Sequence, residues 1–417
     1  MSRLIFVNRF YAPDHSATSQ ILTDLCRFLA AEGHEVTVIA SRMRYDDPKA
    51  MLPAEELLDG VRVRRVATTR LGRGSVIGRL TDYLSFYLSA TWALLGTAKR
   101  GDVVIAKTDP PLISVPAALV ARLKGAKLVN WLQDLYPEVA VAMGIKGLGG
   151  LPGRIAAGLR DWSLRRAAAN VAVGELMAER LEARGLPAAS LTVIQNWSSD
   201  TDVAPIPAET NPLRSEWGYG AHDFVVAYSG NLGRAHEAET LLDAARRLAG
   251  RGNIHFLFIG GGHHLKSVEQ IALPNIAFRP YQPRDRLAQS LSVGDVHWLS
   301  LREEFEGLIV PSKFFGIAAA GRPVIAVTHG RGEIARIVAA HQCGAVVAPG
   351  DGEGLARAIE ALAADRASCL AMGQRARTML EAHFGQARAL SRFAALLASL
   401  AGGSQAAAGA PISGRPC

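Results

Sequence analysis

The chain has 417 residues, of which 49% are hydrophobic and 20% charged, and its formal net charge is +8. This length exceeds one typical hydrophobic core and predicts two domains. A basic chain suits anionic partners, but the arginines are scattered and no nucleic-acid motif accompanies them, which argues against a nucleic-acid-binding protein. The cysteines at positions 26, 343, 369 and 417 form no CxxC pair, so a zinc site or disulfide framework is not expected.

Short apolar runs alternate with helical stretches along the first half of the chain. The run from Leu4 to Asn8 reads as a buried first strand, and Pro13 follows too early for a signal peptide, so we expect a cytoplasmic protein. The other predicted strands are EVTVIAS, VRVRRVA, DVVIAKTD, KLVNWLQD and NVAVG, and the predicted helices include SQILTDLCRFLAAEGH and PPLISVPAALVARLKG. This alternation predicts parallel strands joined by crossovers, with VRVRRVA near a sheet edge.

One apolar segment, DYLSFYLSATWALLGTAKR, has no charge between Asp82 and Lys99. It is shorter than the ~20 apolar residues that span a bilayer. Two interpretations stay open: a buried helix of a layered α/β domain, or a helix on the face of an anionic membrane, which cations on both sides suit. Those cations are Arg65, Arg70, Arg73 and Arg79 before the segment and Lys99 and Arg100 after it.

A stretch rich in Pro, Ser, Thr and Asp, QNWSSDTDVAPIPAETNPL, predicts a linker near 199–209. A second series of strands follows: FVVAYSG, IHFLFIGGG, IAFRPY, VHWLSL, PVIAV and GAVVAP. We therefore predict an N-terminal domain over 1–200, a C-terminal domain over 210–380 and a disordered tail over 401–417. Two doubly wound sheets imply a cleft, with ligands at the carboxyl ends of the strands.

Glycine-rich turns follow two strands of the second series. After FVVAYSG, Gly230 permits a close backbone approach, the next helix N-terminus favours an anion, and Arg234 and His236 add donors. A plain polar turn is the alternative, and neither the GxGxxG nor the P-loop pattern is present. Gly261 belongs to a second glycine cluster, and the adjacent histidines at 263–264 give little support for a metal site.

The stretch EEFEGLIVPSKFFGIAAAGRPV combines acids, a tight turn, a hydroxyl and a lysine. Its loop presents Ser312 and Lys313 to an anion, and Glu304 offers an acceptor for sugar hydroxyls. One loop thus holds donors for phosphate and an acceptor for a polyol. This is the chemistry needed to hold a sugar nucleotide.

These motifs resemble the retaining glycosyltransferases of family GT4, which have the GT-B fold. The family pattern, E-x-F-G followed by a second Glu and A-x-G-x-P-V, is matched by Glu304, Gly307, Leu308 and AAAGRPVIAV. SGNLGRAHE, QNW and the late helix HFGQARALSRFAALL extend the resemblance over most of the chain. YAPDHSATSQ, WLQDLYPE and VPSKFFGIAAAGRPV look most like bacterial colanic-acid and O-antigen transferases of the L-fucosamine type.

The resemblance implies two Rossmann-like doubly wound parallel-sheet domains facing a cleft, with a helix over 384–400 crossing back to the N-terminal, acceptor-binding domain. It implies Asp134, Arg234 and Lys313 as catalytic residues and Glu138 as an acceptor contact. The implied donor contacts are Ser16, Ala17, Gly230, Asn231, His236, Gly261, Tyr281, Glu304, Gly307, Leu308 and Ser312. Because cations and backbone N–H groups stabilise the leaving diphosphate, neither a metal nor another cofactor is expected.

The chain departs from the family pattern at several points. The second Glu, which pairs with the nucleotide ribose in the family, falls near Gly316, and the usual Arg and Lys fall near Asn231 and His236. HSATS replaces a glycine pair, and Gln133 replaces the usual His before Asp134. We interpret these differences as part of the subgroup's own pattern.

The hypothesis is transfer of a sugar from a nucleotide sugar, expected to be a UDP-sugar, to a polyprenyl-diphosphate-linked oligosaccharide in exopolysaccharide or O-antigen synthesis. Asp134 would orient the acceptor or the donor sugar, and a helix N-cap is its alternative role. We expect the protein on the inner face of the cytoplasmic membrane, bound to its anionic surface. The alternatives are a nucleotide-sugar epimerase of the same fold and a two-lobed solute-binding protein, which is usually exported.

Overall fold

The computed structural model of the chain describes residues 2–14, 16–45, 47, 50–72, 76–145, 147–198, 203–262 and 264–401. Parts of the sequence predictions lie outside these residues: Arg73, His263, positions 199–202 of the linker and the tail from Gly402 onward.

The described residues form strands β1 to β14 in chain order. They are β1 (Arg3–Val7), β2 (Glu35–Ser41), β3 (Glu55–Leu58), β4 (Val61–Val66), β5 (Val103–Lys107), β6 (Lys127–Leu132), β7 (Ala169–Ala172), β8 (Leu191–Val193), β9 (Phe224–Asn231), β10 (Ile254–Gly261), β11 (Ile276–Arg279), β12 (Val296–Ser300), β13 (Val324–Val327) and β14 (Gly344–Val347).

The α-helices are α1 (Ala17–Ala31), α2 (Val76–Thr97), α3 (Ser114–Lys124), α4 (Glu138–Ala142), α5 (Leu151–Arg166), α6 (Glu175–Ala183), α7 (Pro212–Glu216), α8 (Glu239–Arg247), α9 (Leu265–Glu269), α10 (Leu287–Leu291), α11 (Lys313–Ala319), α12 (Glu333–His341), α13 (Gly352–Ala364), α14 (Arg366–Met379) and α15 (Gln386–Ala401). Short 3₁₀ turns lie at Ala188–Ser190, Ala208–Thr210, Arg284–Arg286 and Glu303–Phe305, and a π-helical turn at Leu380–Phe384.

The strands form two sheets. The first has the order β3-β4-β2-β1-β5-β6-β7-β8 and the second the order β11-β10-β9-β12-β13-β14. β3 pairs antiparallel with β4, whereas β1 pairs parallel with both β2 and β5. In the second sheet β9 pairs parallel with both β10 and β12. The predicted class, α/β with doubly wound parallel sheets, is confirmed.

The apolar runs predict most of these strands. β2 coincides with EVTVIAS, and β1 ends one residue before the predicted Asn8. β3 and β8 are not predicted by the apolar pattern, because EELL is half polar and LTV is only three residues long. Since β3 covers the outer side of β4, the VRVRRVA run lies next to the edge strand of the sheet.

The chain packs into two compact units. Among the described residues, the first comprises those within 1–131 and 158–171 and those over 390–401, and the second comprises those within 132–157 and 172–389. From Leu390 onward, α15 belongs to the first unit, where Phe393 packs on Trp131 with ring centroids 4.6 Å apart. There Lys127 Nζ also donates to the Leu400 carbonyl at 2.5 Å. The domain limits inferred from sequence, at 200, 210 and 380, stay predictions.

α2, which contains most of the uncharged segment, has a buried and an exposed side. Phe86, Ala90 and Leu94 pack in the core of the first unit together with strand residues of β1, β2 and β5. Exposed apolar side chains lie on the other side: Ile77, Leu80, Leu84, Leu88 and Trp92. Within the described part of the chain, no helix combines the length and the hydropathy that crossing a bilayer requires.

Candidate functional site

The candidate site forms where β9, β10 and β12 end, side by side in the second sheet. The segment after β9 runs from Leu232 to the start of α8, and its backbone is joined to β10 by the Leu232 N–H donating to the Gly261 carbonyl at 2.8 Å. Parallel strands present their carboxyl ends at one edge, which is where ligands bind in such sheets.

Lys313, the first residue of α11, reaches this edge and is held by three acceptors. Its Nζ donates to the Asn231 carbonyl at 2.7 Å, to the Tyr228 hydroxyl, and to His236 Nε2 at 3.3 Å. The Tyr228 hydroxyl donates in turn to the Asn231 carbonyl at 2.8 Å. Lys313 Nζ also lies 4.4 Å from the Tyr228 ring centroid, a cation–π distance. The amine is therefore fixed in one position.

The tautomer of His236 follows from its two contacts. Its Nδ1 lies 2.6 Å from the Ser300 carbonyl, which can only accept, so Nδ1 carries the proton and Nε2 accepts from Lys313. Burial, assisted by the Lys313 charge, lowers the pKa of His236 to about 4, which keeps the imidazole neutral at pH 7. The histidine therefore orients Lys313 and adds no charge of its own.

Desolvation also controls the charge of Lys313. Burial lowers the pKa of its amine from 10.5 to about 7. Burial raises the pKa of the Tyr228 hydroxyl, which stays protonated and available as a donor. An anion placed beside Lys313 would favour the protonated amine, because an opposite charge within a few ångströms stabilises the charged form. The site is thus suited to an anionic ligand.

Gly230 makes room for this lysine. Its φ is 122°, in a region that disfavours L side chains, and a Cβ there would lie 2.6 Å from Lys313 Cε. A side chain at this position would strain the backbone and displace the amine. The close approach seen here is to the Lys313 side chain, and the approach of a ligand to the Gly230 backbone stays a prediction.

Tyr281 covers the glycines at the end of β10. A Cβ built on Gly261 would lie 3.3 Å from Tyr281 Cε2, so the ring packs directly on the glycine backbone. The tyrosine remains 60% exposed, which leaves one ring face open to solvent. An exposed aromatic ring beside a glycine turn is a suitable platform for a planar ligand group.

The loop between β12 and α11 contains three glutamates that differ in burial. Glu304 is exposed, whereas Glu306 is buried and bonded to the Thr328 hydroxyl. Burial raises the pKa of Glu306. Gly307 follows with φ 69°, and a Cβ there would lie 2.7 Å from Arg180 Nε.

Glu333, beside Glu306, caps a distant helix. Its carboxylate accepts the backbone N–H groups of Glu175 at 3.0 Å and Leu176 at 2.9 Å, in the first turn of α6. A carboxylate at a helix N-terminus satisfies otherwise unbonded donors and interacts favourably with the helix dipole. The Glu333 N–H lies 3.4 Å from Glu306 Oε2, so the two buried glutamates belong to one network.

Asp134 and Glu138 lie in the second unit, in the turn before α4 and at its first residue. Between them, the Leu135 N–H donates to the Leu308 carbonyl at 3.0 Å, which joins this turn to the 303–308 loop. The N-cap residue of α4 is Pro137, and both roles considered for Asp134 stay predictions. Glu138 forms a 3.6 Å ion pair with Arg184.

Two families match successive parts of the chain. Residues 17–197 match the glycosyl transferase 4-like domain, and residues 223–365 match the glycosyl transferases group 1 domain. The chain is a GT4-type glycosyltransferase. The family resemblance drawn from sequence is confirmed.

Two curated proteins are similar to this glycosyltransferase. WbjE of Pseudomonas aeruginosa, named a probable glycosyltransferase, is 28% identical over 406 residues, covering 96% of this chain and 98% of WbjE. WcaI of Escherichia coli K12 is named as a colanic acid biosynthesis glycosyl transferase. It is 26% identical over 326 residues, covering 75% of this chain and 79% of WcaI.

Solved glycosyltransferase structures share the fold. Sucrose-phosphate synthase from Thermosynechococcus elongatus superposes with a TM-score of 0.76 at 16% identity, covering 97% of this chain and all of that one. Anabaena HepE in complex with UDP-glucose superposes with a TM-score of 0.70 at 17% identity, covering 96% of this chain and 100% of HepE. WaaG, which is involved in lipopolysaccharide biosynthesis, superposes with a TM-score of 0.66 at 14% identity, covering 94% of this chain and 99% of WaaG. These likenesses show the GT-B fold.

Some predicted residues of the glycosyltransferase are brought together and others are not. Gly230, Asn231, His236 and Lys313 share one cluster, and Gly261 and Tyr281 adjoin it through β10. Arg234 is exposed on the segment after β9, and Ser312 is the N-cap residue of α11 without a capping side-chain bond.

Ser16 and Ala17 lie in the first unit of the glycosyltransferase, at the start of α1. The Ser16 N–H donates to Asp14 Oδ1 at 2.8 Å, while its buried hydroxyl contacts no hydrogen-bonding partner within the described residues. At Gly316, a Cβ would lie 3.7 Å from Leu291 and 3.8 Å from Ser198, an ordinary contact distance. The site assignments made from sequence all stay predictions.

Sequence reasoning did not single out Tyr228, Glu306 or Glu333. Tyr228 reads as an ordinary apolar strand residue in FVVAYSG, and its contact with Lys313 joins positions 85 residues apart. Glu306 is one of three glutamates in EEFE, and nothing in their order tells which one is buried. The only signal for Glu306 is its place directly before Gly307.

Proposed function

We propose that this glycosyltransferase transfers a sugar from a UDP-sugar, with retention of anomeric configuration, to a polyprenyl-diphosphate-linked acceptor. The observation that carries the proposal is the Lys313 cluster at the carboxyl ends of β9 and β12, formed with Tyr228, Asn231 and His236. A positioned amine in a desolvated site suits a diphosphate whose negative charge grows as the bond to the sugar breaks.

Three similar proteins support the choice of donor and pathway. HepE was solved in complex with UDP-glucose, so a protein of this fold binds a UDP-sugar. The names of WcaI and WaaG place similar proteins in colanic acid and lipopolysaccharide biosynthesis. We therefore assign this chain to synthesis of a bacterial surface polysaccharide.

Lys313 and Arg234 are the proposed stabilisers of the leaving diphosphate. Lys313 is already oriented, whereas Arg234 is exposed and would move onto the phosphates. Tyr281 would stack on the uracil ring beside Gly261. Because protein cations supply the charge, the reaction is proposed to need no metal.

Asp134 is proposed to orient the reacting sugar, and Glu138 to contact the acceptor. The turn that carries them is bonded to the 303–308 loop, which also contains Glu304 as the proposed acceptor for sugar hydroxyls. With a lipid-linked acceptor, the enzyme is proposed to work on the inner face of the cytoplasmic membrane. Its basic surface is consistent with anionic lipid there.

The test is a screen of labelled nucleotide sugars with purified enzyme and bacterial membranes, reading label in the lipid extract. UDP-sugar-dependent labelling that persists after exhaustive chelation supports the proposal. Lys313→Ala and Arg234→Ala are each expected to lower turnover by ~100-fold, whereas Arg357→Ala, an exposed arginine on α13, serves as the matched control. Conversion of the donor sugar without lipid labelling would instead favour the epimerase, and unchanged turnover in both variants would remove the assigned roles.

A further inference from the structure

An apolar stripe runs along the outer side of α2. Ile77, Leu80, Leu84, Leu88 and Trp92 recur every three or four residues, and the most exposed of them are Trp92 at 78%, Ile77 at 77% and Leu88 at 75%. At ~1.5 Å per residue the stripe is about 22 Å long. An exposed apolar surface of this length marks an interaction site, because soluble chains rarely leave such residues contiguous.

A neighbouring helix carries further exposed leucines. α2 and α3 pack on the same side of the first sheet, since Phe86 and Ala90 of α2 share one core cluster with Ala117 and Ala121 of α3. On its outer side α3 exposes Leu119 and Leu123, one helical turn apart. We call the exposed apolar residues of these two helices the α2–α3 face.

The two helices of the α2–α3 face carry no exposed carboxylate. Asp82 is the only acidic residue of α2, and α3 has none. Asp82 is 2% exposed and points away from solvent. Exposed cations lie around the face instead: Arg70, Arg79, Lys99, Arg100 and Arg122. Apolar helix faces that have exposed cations nearby and no exposed carboxylate on their own helices complement an anionic lipid surface.

Asp82 also fixes one of these cations beside the stripe. Its carboxylate accepts from the Thr69 hydroxyl at 2.7 Å, from the Leu71 N–H at 3.0 Å and from the Gly72 N–H at 3.2 Å. The loop that carries Arg70 and the exposed Leu71 is thereby fastened to α2. The buried acid therefore serves to build the basic end of the face.

We propose that the α2–α3 face docks this protein on an anionic bilayer, with α2 lying parallel to the membrane plane. Leu88 and Trp92 enter the boundary between headgroups and acyl chains, and Arg70 and Arg79 contact anionic headgroups. This deepens the proposed membrane location but is independent of the transfer reaction, because the face lies in the first unit and the Lys313 cluster in the second.

The test is co-sedimentation of the full chain with vesicles of phosphatidylglycerol and phosphatidylethanolamine, without nucleotide sugar or polyprenyl lipid. Leu88→Gln and Trp92→Gln are each expected to weaken binding ~10-fold, and Arg70→Gln ~5-fold at low salt. Leu370→Gln, an equally simple change at an exposed leucine of α14, is the matched control and should bind like the wild type. Thermal unfolding midpoints confirm that each variant is folded.

Three results would overturn the docking proposal. They are equal vesicle binding by all variants, equal binding to pure phosphatidylcholine at every salt concentration, and a wild-type dimer in sedimentation that Trp92→Gln dissociates. The last would assign the face to a second copy of the chain. Vesicle binding without donor turnover would instead count against the proposed function alone, and donor turnover without vesicle binding against docking alone.

Discussion

Replacing Lys313 by methionine tests whether the cluster desolvates the amine. Burial lowers its pKa from 10.5 to about 7, so between these values the folded chain holds the amine neutral while the unfolded chain still protonates it. The unfolded state then binds more protons, and the wild-type free energy of unfolding rises with pH. A full proton of difference gives ~1.36 kcal/mol per pH unit, and the rise from the plateau below pH 7 to pH 9 is about 2.7 kcal/mol.

Lys313→Met removes this titration and the cost of a buried charge. The variant is expected to exceed the wild type in stability most below pH 7, and the difference should shrink by about 2.7 kcal/mol by pH 9. Urea unfolding followed by tryptophan fluorescence, at one-unit pH intervals, measures both proteins. Subtracting one curve from the other cancels the remaining titrating groups. Lys266→Met, at an exposed lysine of α9, is the control. A difference that stays constant across this pH range would refute a desolvated Lys313.

Three further predictions concern the second unit. The KM for the nucleotide-sugar donor should rise above pH 7, by up to ~10-fold per unit, because binding must then protonate Lys313; a flat profile in steady-state kinetics would contradict this. Gly230→Ala should cost about 1–2 kcal/mol and lower turnover, while Gly233→Ala in the same segment should do neither, since its Cβ would meet its nearest neighbour at 3.5 Å. Glu333→Ala should cost about 1–3 kcal/mol in urea unfolding by leaving the α6 donors unbonded; the exposed Glu353→Ala is its control, and equal stability of the two would argue against the cap.

The repeating parts of the fold are what the sequence predicts best. Buried parallel strands such as β2 and β9 are continuous apolar runs, so their positions follow directly from hydropathy. The apolar pattern does not predict β3, because β3 is an edge strand whose alternate residues face solvent. Its strand conformation depends on pairing with β4, which no local pattern of four residues specifies.

At the candidate site, residue types were predictable but contacts were not. A lysine after a proline–serine pair indicates an anion site, yet burial lowers its pKa, and its amine is positioned by Tyr228 and His236, which are contributed from another strand and the segment after it. Likewise, three closely spaced glutamates suggest acceptors, but only the folded loop distinguishes the buried Glu306 from the exposed Glu304. Burial and partner identity are tertiary properties, and these decide the chemistry of both groups.

The return of α15 to the first unit has a consequence for synthesis on the ribosome. The carbonyl that accepts the Lys127 hydrogen bond lies 273 residues further along the chain. At ~5–20 residues per second, the ribosome needs about 14–55 s to synthesise that stretch. During that interval Trp131 lacks the Phe393 ring that covers it. The nascent first unit therefore leaves this side of the Trp131 ring uncovered until α15 has been synthesised, and a chain that stops before α15 would keep an apolar surface there to which chaperones can bind.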